Sequence, residues 1–209
     1  MSALGVSLSF FWVWTGAALL YAAFRVWYDN WRGALRPDEI ERFLAALPGT
    51  PGAGGNDADT LRRFLEADDG REFWMLNLVR LASGDVPHPR TGAPTRAAAL
   101  MREYVRGFLP VLIRHGGHPV LQARKIGGYV DAWNVPPDPG WSLVGVMRYR
   151  SRRDMVELAS DPRFTAAHPF KFAAIPVTAS FPTAPGLALL LGPRVWVALV
   201  LALGAALLT

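Results

Sequence analysis

Histidine is the side chain best suited to moving protons near neutrality, and this chain carries four, His88, His115, His118 and His168. His168, in a helical stretch, is the candidate for proton transfer; the plainer reading makes it a partly buried helix residue with a satisfied ring. His115 and His118 are separated by Gly116 and Gly117, which puts them across a helix end and a strand start, a poor arrangement for sharing a metal. His88 lies in a Pro-rich loop and reads as solvated. The chain has no cysteine, which excludes thiol nucleophiles, zinc–thiolate sites, iron–sulfur clusters and disulfides. Phosphate-binding loops, nucleophile elbows and zinc-protease helices are absent as well. Neither a metal nor a cofactor is expected.

A second set of candidates consists of polar groups set into apolar runs. Asn77, with His168 a candidate catalytic residue, interrupts the run FWMLNLVR and needs a hydrogen-bond partner or a pocket. Gln122, Arg124, Arg148 and Thr178 place polar groups in other predicted strands, and Tyr104 reaches inward from a helix. If they converge on one open sheet face they line a polar ligand site. Arg148, Arg150, Arg152 and Arg153 form the densest basic patch, read either as a solvated helix start or as a site for acidic lipids or an acidic partner.

The elements that must hold these residues follow from periodicity. REFWMLNLVRL (71–81), HPVLQARKI (118–126), WSLVGVMRY (141–149) and IPVTASF (175–181) read as four strands. Met101, Tyr104, Val105, Phe108, Leu109, Leu112 and Ile113 keep helical spacing, with Pro110 on the opposite face and Gly116–Gly117 as the stop. Ser151 and Asp154 open a helix through Ala159 that the sequence DPRF ends, and a last short helix covers Ala166 to Ala173. Residues 82–97 read as a long Pro/Gly loop. The order strand, helix, strand, strand, helix, strand predicts an α+β, ferredoxin-like split βαβ domain with a four-stranded antiparallel sheet, its helices covering one face.

The combination WMLNLVRL, IRHGGHPV, WSLVGVMRYRSRRDMVELASDPRF and KFAAI resembles a bacterial family of unknown function within the dimeric α/β-barrel superfamily, over residues 71–182. Relatives there include antibiotic-biosynthesis monooxygenases, chlorite-dismutase-like proteins and muconolactone-isomerase-like enzymes. The resemblance implies that two sheets pack face to face, in a homodimer or an equivalent pairing, often around a small pocket. Membrane anchors and long loops at 82–97 and 131–140 depart from that pattern.

The two ends set the context. Residues 3–24 and 195–209 carry no charge, and a run of about 20 apolar residues is long enough to cross a bilayer. Arg25, Arg32 and Arg36 follow the first run, so its C-terminal end and the central domain are expected on the cytoplasmic side of an inner membrane. Trp27, Tyr28 and Trp31 suit the headgroup region there. A cleavable signal would normally open with basic residues, which are missing. Arg194 is expected at the same interface, with Pro193 in the first turn of a short second span. The expected organisation is an N-terminal transmembrane helix (1–28), amphipathic juxtamembrane helices at 37–47 and 59–67 with a Pro/Gly linker (29–70), the ferredoxin-like domain (71–183) and a C-terminal membrane helix (184–209). The net charge of +5 is scattered along the chain, which argues against nucleic acid. Membrane lipids and other integral membrane subunits are the expected partners. Two functions follow: an accessory subunit of a larger membrane complex, photosynthetic or respiratory for example, or a membrane-bound monooxygenase- or isomerase-like enzyme acting on a lipophilic small molecule.

Overall fold

The computed structural model describes residues 3–46, 58–187 and 191–209. They form two units, one made of residues 1–31 and 185–209, the other of residues 32–184.

The first unit is a pair of apolar helices, α1 (Ala3–Tyr28) and α7 (Pro193–Leu207). On α1 the less exposed positions include Trp14, Ala17, Tyr21, Phe24 and Tyr28, an alternation of three and four residues that makes one seam. The facing seam of α7 includes Ala198, Leu201, Ala202 and Ala205, small enough for close approach. The charged groups gather at one end. The Asp29 carboxylate takes hydrogen bonds from Arg25 (2.5 Å) and Arg194 (2.8 Å), the Arg194 guanidinium lies 5.2 Å from the Tyr28 ring centre, and the Tyr21 hydroxyl donates to the Arg194 carbonyl. Arg25, Tyr28 and Arg194, expected at the headgroup level, thus form one cluster, whereas Trp31 is 68% exposed. Among the described residues one helix, over Ser9–Tyr28, is long and apolar enough to cross a membrane; Pro193–Leu207 is shorter than that.

The second unit is built on a four-stranded antiparallel sheet. Strands β1 (Phe73–Arg80), β4 (His118–Arg124), β5 (Leu143–Tyr149) and β6 (Val177–Thr183) lie in the order β4-β5-β1-β6. Helices α4 (Ala97–Arg114), α5 (Arg152–Ala159) and α6 (Pro162–Ala174) complete the ferredoxin-like arrangement. The register pairs Phe73 with Tyr149, Asn77 with Gly145 and Val79 with Leu143, so the odd-numbered residues of both central strands share one face. Phe73, Val79 and Tyr149 from that face join Leu100, Tyr104, Phe108, Leu112, Phe164, Phe170 and Ala174 in the main core.

Three local details differ from the sequence reading. The segment 82–97 contains a small hairpin, β2 (Asp85–Pro87) with β3 (Pro94–Arg96), too short to show an alternating pattern. DPRF opens α6 instead of ending α5: Asp161 caps the helix by accepting from the Arg163 N–H at 2.8 Å, and Pro162 takes the first helical position, where its missing N–H costs nothing. The third concerns α2 (Pro37–Ala46) and α3 (Ala58–Glu66), set apart above as a juxtamembrane segment: Ile40 and Leu65 form a second core with Val156 of α5, inside this same unit. Leu47 of the expected α2 face, and the Pro/Gly linker, lie outside the described residues.

Two glycines set how closely elements meet. Gly116, at φ +69°, ends α4, with the Gly116 and Gly117 N–H groups bonded back to the Ile113 and Leu112 carbonyls. Gly107 marks the crossing of α4 and α6: a Cβ there would stand 2.8 Å from the Ala167 Cβ. Gly107→Ala is therefore expected to push the two helices apart and to lower stability by about 1–3 kcal/mol, read as a shift in the chemical-denaturation midpoint. A midpoint equal to that of the parent would show that the crossing has slack.

Candidate functional site

The four arginines of the expected basic patch are all spent on carboxylates. Arg148, 2% exposed, donates to Glu72 at 2.8 Å and to the Gly116 carbonyl at 2.5 Å. Arg150 grips Asp154, which also holds Ser151 in the N-cap of α5. Arg152 lies 3.6 Å from Asp68 and over the Phe64 ring, and Arg153 is buried against Glu39. Arg32 and Arg36, read as headgroup contacts, pair with Glu157 and with Asp38 and Glu39. Arg148 and Arg153 are thus buried in their pairs, whereas Arg32 and Arg36 stay exposed beside theirs.

The strand candidates do not converge on the open face. Gln122 and Arg124 are exposed on the edge strand β4, with the parity of the helix-covered side. Thr178, on the other edge strand, donates to the Leu78 carbonyl. Arg148 faces the open side but is committed to Glu72. Asn77 lies under the helices, between its two neighbouring strands. Its amide donates to the carbonyls of Met75 (2.9 Å) and Gly145 (3.2 Å), and its carbonyl accepts from the Ser180 hydroxyl (2.8 Å). Asn77→Ala strands these groups and is expected to lower stability by about 1–2 kcal/mol in a denaturation curve; Asn77→Asp should not restore it, since a carboxylate cannot donate to two carbonyls.

The histidines also resolve. His168, half-buried on α6, packs edge-on to Phe164 (4.3 Å between centres) and against Phe172 (5.5 Å). Burial, then the nearby Lys171 charge, hold its pKa below the ordinary histidine value, so the ring is neutral at pH 7. His88 is not solvated as a loop residue would be. Its Nδ1 accepts from the Arg90 and Thr91 N–H groups, so Nε2 carries the proton toward the Glu103 carboxylate at 3.2 Å, and its ring meets Phe170 edge-on. His88 thus pins the β2–β3 turn to α4 and α6. His115 sits 3.7 Å from Glu157, with Asp154 near, but Arg32 and Arg150 already neutralise those carboxylates. His118 lies apart, its Nδ1 within 3.0 Å of the Pro119 carbonyl.

Two features of the sheet remain. The first is its open face, where three rows run across all four strands: His118, Arg148, Trp74 and Thr183; Leu121, Val146, Leu76 and Phe181; Ala123, Val144, Leu78 and Ala179. No described helix has the core residues of this face; Leu121 is 47% and Phe181 46% exposed. The Trp74 indole N–H has no acceptor.

The second is the uneven cover of the helix-facing side. Along β1 the inward residues are buried at Phe73 and Val79 but only half-buried between them, at Met75 and Asn77; on β5, Leu143 and Met147 behave alike. Gly145, itself buried, would project a Cβ toward nothing nearer than the Met147 Cε at 4.0 Å. The helices therefore cover the ends of the layer more fully than its middle. Tyr149 stacks on Phe73 at one end of the layer, at 5.2 Å between ring centres, and the Lys171 ammonium lies 5.9 Å from the centre of the Tyr104 ring. Sequence reasoning found Tyr104 but not Lys171, although Phe164, His168, Lys171 and Ile175 follow the helical spacing that marks an inward stripe.

No protein-family model matches this sequence, and no curated protein matches it either. Solved structures do. A protein of unknown function from Rhodopseudomonas palustris is 27% identical, with a TM-score of 0.53 over 66% of this chain and 99% of that one. The methylated form of that protein gives 27% identity and 0.52 over 69% and 98%. A dimeric protein of unknown function and ferredoxin-like fold from Bacteroides fragilis stands further off, at 16% identity and 0.33 over 53% and 93%. The strand order and helix placement make the chain an α+β protein with a ferredoxin-like domain, and the Rhodopseudomonas palustris protein to which it is similar is itself of unknown function.

Proposed function

We propose that this chain is an accessory subunit of a larger assembly in an inner membrane, held in the bilayer by the α1–α7 pair and contributing a ferredoxin-like domain on the cytoplasmic side. The observation that carries this reading is the α1–α7 unit itself. Phe10, Phe11, Trp12, Leu19 and Leu20 of α1 and Trp196, Leu199, Val200 and Leu203 of α7 are exposed on it, so the outside of the pair is as apolar as its seam. A helix pair apolar all round is soluble in lipid or against other apolar helices, not in water. The charged cluster of Arg25, Asp29 and Arg194 at one end supports a common cytoplasmic end for both helices. At 15 residues, α7 reaches only about 22 Å, short of the hydrocarbon thickness, and neighbouring helices would relieve that mismatch. The open sheet face supplies a second contact, and its apolar rows suit pairing with another copy of this chain in the manner of a dimeric α/β barrel.

The test is extraction of the tagged full-length chain from its native membrane in mild detergent, followed by native electrophoresis and subunit quantification. The chain is expected in a high-mass assembly at fixed stoichiometry with other integral membrane subunits. Recovery as a free monomer or dimer overturns the accessory role and leaves the tethered enzyme as the better reading.

A further inference from the structure

The net charge of +5 is scattered in the sequence, but pairing in the fold leaves much of it on one helix. Arg25 and Arg194 share Asp29, Arg36 and Arg42 share Asp38, and the arginines at 150, 152, 153 and 163 each pair with a carboxylate. On α4 the balance differs. Arg102, Arg106 and Arg114 are exposed, and among the described residues no carboxylate comes within ion-pair distance of them. Glu103, the one acidic residue of α4, is taken by His88. Arg102 and Arg106 are four residues apart and so neighbours on the helix surface, with about 5–6 Å between their Cβ atoms. The adjoining row of Val105, Leu109 and Ile113 repeats that spacing. Val105 is 41% and Ile113 45% exposed, so the apolar stripe of α4 is wider than its core contact and its surplus lies outside, beside the arginines. Towards the β2–β3 hairpin the same face opens into a cavity of about 500 Å³ lined by Thr95, Arg96, Ala98, Ala99 and Arg102.

The chemistry of this face selects its partner. A lipid surface is served equally by lysine and arginine, whereas protein contacts are enriched in arginine and depleted in lysine, because the planar guanidinium forks onto a carboxylate; α4 carries three arginines and no lysine. Position agrees. The chain enters and leaves the domain at one end of the sheet, where a Cβ on Gly70 would meet Gly33 and where Thr183 pairs with Trp74. Arg102 and Arg106 lie in the half of α4 toward the other end, which suits a protein more than the lipid that takes up the two ends of the chain. We propose that the outer face of α4 docks an acidic amphipathic helix of a protein partner, its carboxylates three or four residues apart on Arg102 and Arg106 and its aliphatic residues against Val105, Leu109 and Ile113. This names the kind of partner for the accessory role, and rests on that role only for where the partner resides.

The test is photo-crosslinking in the native membrane, with benzoylphenylalanine in place of Val105 in the tagged full-length chain and mass spectrometry of the adduct. The expected adduct is to a protein segment with two carboxylates three or four residues apart. Its yield should fall more than about tenfold in Arg102→Glu with Arg106→Glu, since like charges then face each other across the contact. Arg124→Glu reverses an exposed arginine on β4 that likewise meets no carboxylate among the described residues, and should leave the yield unchanged. Made as a synthetic peptide, the crosslinked segment should bind the chain in lipid nanodiscs at least about tenfold more tightly than its counterpart with glutamine at the acidic positions. An adduct to lipid, to nucleic acid, to a second copy of the chain or to a segment without such carboxylates overturns the proposal, as does no adduct at all. So does a yield that the double reversal leaves intact or that Arg124→Glu lowers equally, or equal affinity for the two peptides. Should the double reversal lose its unfolding transition, Arg102→Gln with Arg106→Gln decides in its place. An adduct of the expected kind to a protein outside any membrane assembly supports the docking face and overturns the accessory role, so the two readings fail separately.

Discussion

Arg153→Met is expected to lower the stability of the domain by about 3–5 kcal/mol, because it removes one member of a buried ion pair and leaves the other behind. Arg153 is 3% exposed and Glu39 is 8% exposed. The guanidinium donates to both Glu39 carboxylate oxygens, at 3.3 and 2.9 Å, and to the carbonyls of Gly33 and Ala34, each at 3.0 Å. One side chain of α5 thereby fastens the start of α2 and the turn before it. The loss should appear in a denaturation curve, with selective hydrogen exchange or proteolysis in 37–46. Arg153→Lys should recover little, since an ammonium cannot reach the same four acceptors in a fork. A variant with parental stability would mean that the apolar contacts of Ile40 and Leu65 with Val156 hold α2 unaided.

The same pair gives the domain an acid-sensitive edge. The hydrogen bonds from Arg153, then that from the Arg36 N–H, hold the Glu39 carboxyl at about 2, against 4.5 for the free group. A carboxylate lowered in the folded state adds stability that is complete above its unfolded value and disappears as pH falls through its folded one. The clamp should therefore be intact at pH 6 and loosen between about pH 4.5 and 2, with α2 the first element to exchange. Equal protection of α2 at both ends of that interval would show that Glu39 is not the group that responds.

The second large effect concerns the open sheet face. Leu76 and Phe181 are neighbours in the middle row, flanked by Val146 and Leu121. Leu76→Glu with Phe181→Glu puts two carboxylates at the centre of any contact made there, and burying unpaired charge costs several kcal/mol. Pairing of two copies is expected to weaken by more than about 100-fold, seen as a shift from dimer to monomer in native mass spectrometry of the detergent-solubilised chain. Phe181 is 46% exposed and Leu76 half-buried in the single chain, so a denaturation curve of the same variant separates lost pairing from lost folding. If the doubly substituted chain keeps the parental mass, the face is not where copies meet.

Much of the fold was legible because it rests on local patterns. The four strand runs were short, apolar and bounded by charges or turns, and the α4 stripe from Met101 to Ile113 kept helical spacing. The Ser151–Asp154 cap formed as its spacing implies. What escaped depends on partners distant in sequence. The arginines at 148, 152 and 153 looked like a basic patch because their carboxylates sit at Glu72, Asp68 and Glu39, far upstream. Asp161-Pro162 was read as a stop because the same dipeptide serves to end one helix and to begin another, and only the spacing to the next element distinguishes them. Lys171 escaped because a lysine within PFKFAA reads as a surface residue until its stripe is traced. Strand register, which decides whether Asn77 or Leu76 faces the helices, is set by pairing and has no signature within one strand.

The Asp29–Arg194 bridge has a further consequence for how the chain responds to stress. Those two residues are 165 positions apart, and the whole ferredoxin-like domain is strung between them. While α1 and α7 remain together, an unfolded domain is a closed loop, not a free chain, and has correspondingly fewer conformations to gain. On the loop-closure model used for disulfides, a ring of that length is worth about 5 kcal/mol. The helix pair therefore acts as a reversible clasp, lending the domain thermal resistance that its own contacts do not provide and withdrawing it when the helices part.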